Sequence, residues 1–101
     1  MALMQITVIP LGTRSVSVGD FVAGIQKKLG KQDLRFTLTD MGTIVEGSAE
    51  ALLAVAATIH EYPFTKGVKR VVTQIVIDDR RDKSVGIGDK ITSVEDRLHL
   101  T

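Results

Sequence analysis

The chain has 101 residues, a formal net charge of +1 and no cysteine. Disulfides, thiolate nucleophiles and cysteine-bound zinc are excluded, and the near-neutral charge gives no bulk electrostatic pull toward nucleic acid. A hydrophobic content of 44% excludes a disordered chain and fits one domain over residues 1–101, with a modest core that oligomerisation would supplement.

The opening stretch MALMQITVIPLG lacks the basic start of a signal peptide, and Gln5 and Thr7 interrupt its apolar run. No apolar segment approaches the ~20 residues that span a bilayer. These readings lead to the expectation of a soluble, cytoplasmic protein. Residues 3–11 alternate, with Met4, Ile6 and Val8 on one face and Gln5, Thr7 and Ile9 on the other, which predicts a half-covered strand. Ser17 is placed to cap a helix whose apolar stripe is Val18, Val22, Ile25 and Leu29, with Phe21 beside it and Gly30 at its end.

Residues 34–39 alternate again, and "DMG" predicts a tight hairpin turn in which Gly42 supplies positive φ. "TIVE" returns as the next strand. Gly47 and Ser48 open a second helix, with Ala49, Leu52, Leu53, Ala56, Ile59 and His60 as its buried stripe and Pro63 as its stop. Residues 69–79, rich in Val and Ile, form the last strand. "RRDK" and "VGIGDK" read as a polar excursion. Thr92 with Glu95 matches a capping box opening a terminal helix through Leu100.

The order β-α-β-β-α-β plus a short C-terminal helix predicts an α+β, ferredoxin-like sandwich: a four-stranded antiparallel sheet with two helices on one face. The other face should carry Gln5, Thr7, Ile9, Thr37, Thr39, Gln74 and Glu46. A surface rich in Thr and Gln can hydrogen-bond across an interface while burying methyl groups. Pairing with another subunit, or part of a ligand site, is expected there. The alternative is a solvated sheet face, common in antiparallel sheets.

Three stretches, "DMGTIVEG", "HEYPFTKGVKRVVTQIVID" and "DRRDK", with the tail "TSVEDRL", together resemble the small thiamine-binding protein family, formerly an uncharacterised family of short ferredoxin-like proteins. The resemblance covers nearly the whole chain in order and spacing. It implies a homodimer or homotetramer that binds thiamine or a related pyrimidine such as hydroxymethylpyrimidine, without catalysis, as carrier, buffer or sensor. No cofactor is implied beyond thiamine as bound ligand, and neither nucleic acid nor membrane is a partner. One departure is that the family usually has proline where Asp40 stands, before "MGT".

Thiamine requires a carboxylate near its permanently cationic thiazolium, hydrogen-bonding groups for its aminopyrimidine and a flat or soft apolar contact. Glu46 fits the acid, although an end-of-strand glutamate is also ordinary surface. With the resemblance, Glu46 is expected to balance the cation, so that Glu46→Gln weakens thiamine binding and leaves the fold intact. Thr39 and Thr43 offer hydroxyls and Met41 a soft apolar contact. Phe64 could stack on the ring, although core or interface packing is the commoner fate of such a residue. Asp78 and Arg80 are candidates for ligand contact or structure, because strand alternation can point them together. Arg80 and Arg81 could grip a phosphate bidentately if the ligand carried one. Asp79, Arg81 and Lys83 read as a solvated charge run. Asp40 reads as a turn residue. Ser15 precedes the first helix, whose N-terminal amides could hold a polar ligand edge.

His60 reads as a satisfied structural histidine. With His99 it makes no metal site, and no nucleophile motif accompanies it. "GIGDK" lacks the phosphate-loop pattern. The rival to ligand binding is a regulatory or structural oligomeric module that docks a protein partner through the open sheet face. An enzyme using His60 with Asp78 or Glu46 ranks last.

Overall fold

A computed structural model of the chain describes residues 1–12 and 18–100. Strand β1 spans Ala2–Leu11 and follows the predicted alternation: Ala2, Met4 and Ile6 are buried, while Gln5 is exposed. Helix α1 (Val18–Gly30) buries Ile25 and Leu29. Strands β2 (Arg35–Thr39) and β3 (Gly42–Gly47) form a hairpin across a two-residue turn. Helix α2 runs Ala49–Thr65, strand β4 Arg70–Asp79 and helix α3 Asp89–His99. The predicted cap Ser17, and Ser15 before it, lie outside the described residues.

The four strands are ordered β2-β3-β1-β4, and every neighbouring pair is antiparallel. This is the expected ferredoxin-like sheet. Its helix-covered face and the helices enclose Met4, Val45, Leu29, Leu52 and Ile59, all fully buried. Removing each such side chain from water contributes about 1.5–3 kcal/mol. The helices meet closely at Gly24: a Cβ there would lie 1.9 Å from the Tyr62 hydroxyl oxygen, so the Tyr62 ring would have to move. The opposite sheet face carries the expected polar residues and also Val72 and Val76, which are exposed.

Three expectations need correction. Pro63 does not stop α2; it sits fully buried in the last turn, and the helix continues to Thr65. A proline there removes one intrahelical donor, but its fixed φ is already helical and its ring fills core volume. In α2 the buried stripe is Leu52, Val55, Ala56 and Ile59, while Leu53 is 55% exposed. Finally, α3 begins at Asp89, one residue after Gly88 in the left-handed conformation, so Thr92 lies inside the first turn and donates its N–H to the Gly88 carbonyl instead of capping. The Asp89 carboxylate fastens this start by accepting the Gly86 N–H at 2.8 Å. None of α3 is buried, and Ile91, Val94 and Leu98 stand exposed along it.

Candidate ligand-binding site

Pairing between β1 and β3 runs from Ala2 opposite Gly47 to Ile6 opposite Thr43, whereas β1 continues alongside β4 to Leu11. Beyond the hairpin turn, β1 therefore has one free edge. Between that edge, the turn and α1 lies a cavity of about 490 Å³. Its walls are apolar, with Ile6 and Val8 from the sheet, Val22 and Ile25 from α1, and Leu38 from the hairpin. The size and lining are those of a small-molecule pocket.

Among the polar residues that also line it, Gln26 and Thr43 form a bonded pair. Gln26 on α1 donates its side-chain N–H to the Thr43 hydroxyl oxygen at 3.0 Å. Thr43 is 5% exposed and is the buried polar residue among the described residues. After this bond the Thr43 O–H, the second amide hydrogen of Gln26 and the Gln26 carbonyl oxygen retain hydrogen-bonding capacity. The site can thus offer donors and an acceptor to one edge of a flat heterocycle held between apolar walls.

The turn forms the rim, and its own bonds shape it. The Thr39 hydroxyl donates to the Gly42 carbonyl at 2.8 Å and accepts the Met41 N–H at 3.3 Å. Thr7 ties the turn to β1 by donating to the Met41 carbonyl at 3.0 Å. Gly42 adopts φ +154°, as foreseen, and a Cβ there would press within 2.7 Å of the Thr7 hydroxyl oxygen. The Met41 side chain is 78% exposed at the mouth. Asp40 also lines the cavity and has no hydrogen bond or ion pair among the described residues.

The structure gathers Thr39, Met41 and Thr43 but separates them from Glu46, Phe64, Asp78 and Arg80. Glu46 lies four residues along β3 from Gly42, about 13 Å away. There its carboxylate accepts the Ile87 N–H at 2.8 Å, with Arg35 3.9 Å away. Asp78 faces Leu3 from the other side of β1 and is ion-paired with Lys90. Arg80 grips Asp82 through two bonds of 2.7 and 3.0 Å. Arg81 pairs with Asp79 at 2.8 Å. These bonds hold the Asp79 and Asp82 carboxyls below the ordinary aspartate range. Phe64 packs edge-on against His60, ring centroids 5.5 Å apart, and the His60 Nδ1 lies 2.7 Å from the Thr73 hydroxyl. Among the described residues, no group of three or more His, Asp or Glu side chains forms a candidate metal site, and no helix is long and apolar enough to cross a membrane.

Gln26 lines the candidate cavity and was not singled out by the sequence reading. A signal was present: Gln26 follows Val22 by four residues and adjoins Ile25, so it is a polar side chain on the buried arc of an amphipathic helix.

The helix-covered, four-stranded antiparallel sheet defines a ferredoxin-like fold class. Residues 4–95 match the sequence model of the family described as thiamine-binding protein, and the chain belongs to that family. It is 45% identical over 102 residues to the UPF0045 protein YqgV of Bacillus subtilis, covering 97% of this chain and 98% of that one. The crystal structure of the hypothetical protein MJ1052 from Methanocaldococcus jannaschii superposes with a TM-score of 0.82 at 30% identity, over 93% of this chain and 95% of that one. A Thermotoga maritima structure described as a candidate thiamine biosynthesis/salvage protein shares the fold, with a TM-score of 0.76 at 19% identity, over 92% and 97% of the two chains.

Proposed function

We propose that this protein binds thiamine or its hydroxymethylpyrimidine moiety in the hairpin-end cavity, without chemical turnover, as a carrier, buffer or sensor. The observation that carries this reading is the Gln26–Thr43 pair set into apolar walls, a donor–acceptor edge beside a slot about 490 Å³ in volume. An aminopyrimidine has a flat apolar face and an edge that alternates donor and acceptor, so ring burial and edge pairing are satisfied together. Family membership supports the ligand class. His60, the candidate base, is engaged by Thr73 on the helix-covered side and does not line the cavity.

Oligomerisation through the open sheet face fits this reading, because Val72 and Val76 add apolar area to the expected Thr and Gln surface. The test is a thermal-shift series with thiamine and hydroxymethylpyrimidine. A ligand at a hundredfold excess over its Kd stabilises the native state by ~2.7 kcal/mol, which is expected to raise Tm by several degrees. No shift with either compound at millimolar concentration would remove the ligand reading and leave the partner-docking module.

A further inference from the structure

We infer that Thr7 is a positioning residue of this site: its hydroxyl latches the hairpin tip to β1, and through that latch it holds Thr43 beside Gln26. The inference rests on the ligand reading above and names a residue that acts on affinity through the hairpin.

The β1–β3 ladder ends at Ile6 opposite Thr43. Beyond that rung the hairpin leaves β1 and the cavity opens between them. The last rung of a ladder opens most readily unless a further contact holds the strands together. Thr7, one residue past the rung, supplies that contact by donating its hydroxyl hydrogen to the Met41 carbonyl at 3.0 Å. The other side-chain bonds of the tip are internal to it: the Thr39 hydroxyl donates to the Gly42 carbonyl and accepts the Met41 N–H. Burial adds little, since Leu38 is 53% exposed and Met41 78%. Among the described residues, the Thr7 bond is therefore the side-chain hydrogen bond that ties the tip to the sheet.

The close approach this latch needs is built into residue 42. A Cβ on Gly42 would stand 2.7 Å from the Thr7 hydroxyl oxygen and 3.0 Å from the Ile6 carbonyl oxygen. Thr43 follows directly in the chain, and its hydroxyl accepts the Gln26 side-chain N–H. A tip that peels from β1 carries Thr43 away from Gln26, which α1 holds in place. The one hydrogen of the Thr7 hydroxyl is given to Met41, so its effect on a ligand runs through the position of the tip.

Calorimetric titration of thiamine and hydroxymethylpyrimidine into the full chain tests this on the wild type, on Thr7→Val, which keeps the shape and loses the donor, and on Thr7→Ser, which keeps the donor. Amide hydrogen exchange is followed on the same proteins. Thr7→Val should weaken both ligands about fivefold and speed exchange at residues 41–43, with exchange along the β1–β4 pairing as in the wild type. Thr7→Ser should restore both readouts. Gly42→Ala should also weaken binding, and combining it with Thr7→Val should cost no more affinity than Gly42→Ala alone, because both break one latch. Wild-type affinity in Thr7→Val, Thr7→Ser as weak as Thr7→Val, or additive losses in the double variant would overturn the inference while the ligand reading stands. Faster exchange throughout β1–β4 in Thr7→Val would show a general loosening and overturn it likewise. No binding of either compound to the wild type would overturn both.

Discussion

The two ends of this sheet use polar groups in opposite ways. At the corner near Leu3, charges are dense, but each has a partner in the chain: Glu46 takes the Ile87 N–H, Asp78 takes Lys90 and Arg80 takes Asp82. Among the described residues at the hairpin end charges are sparse, yet Gln26, Thr43 and Asp40 keep unused bonding capacity around a largely apolar void. A carboxylate already occupied by its own backbone would have to give up that bond before meeting a ligand. The richest cluster of charges is thus already engaged within the chain, and the quieter end holds the candidate site.

Blocking the cavity gives the largest expected effect. Val22→Trp projects an indole into the space lined by Val22 and Ile25 and should abolish the ligand-induced rise in Tm, ~2.7 kcal/mol at a hundredfold excess over the wild-type Kd. A retained rise would place the ligand elsewhere. Next, Gln26→Leu removes the edge-reading amide and should weaken thiamine about tenfold in calorimetry, while lowering stability by about 1 kcal/mol because Thr43 loses its partner.

At the other end the expected pattern is reversed. Glu46→Gln should lower stability by up to about 1 kcal/mol, as a charged acceptor becomes a neutral one, with thiamine affinity unchanged. Gly86→Ala should act in the same direction, since its Cβ would lie 2.6 Å from the Glu46 carboxylate oxygen. Loss of thiamine affinity in either variant would break the distinction between the two ends and restore the counter-charge role that the sequence suggested for Glu46. The smallest effect belongs to the surface pairs. Arg81→Gln should return the Asp79 pKa upward toward the ordinary aspartate value, read by NMR titration, because the Arg81 hydrogen bond is the main cause of its depression. A depressed carboxyl stabilises the fold above its unfolded pKa, and that contribution fades as pH falls through the lower folded value. Salt should screen it further.

The fold was legible because period-two and period-3.6 patterns mark which face of each element is buried, and those patterns run through β1, α1 and β2 almost without interruption. The candidate cavity was legible in part. Thr39, Met41 and Thr43 sit on one short hairpin, so local sequence brings them together. Glu46 was read as a ligand group because nothing in the sequence shows that residue 87 folds back across the sheet to meet it. Pro63 was taken as a helix stop because local rules do not register the core volume that rewards its ring. The capping pattern at Thr92 and Glu95 lost to Gly88, whose left-handed backbone starts α3 earlier.

Strand β1 is central, and its outer neighbour β4 is also its longest partner, with Ala2 set opposite Asp79. On a ribosome, the sheet therefore cannot close until Asp79 has cleared the exit tunnel. Until then β1 offers an unpaired edge along Ala2–Leu11. Closing so long a loop before its contacts repay the lost chain entropy makes folding slow relative to a helical bundle of the same length. During synthesis the waiting strand edge is the part of the nascent chain most exposed to misassembly with its neighbours on a polysome.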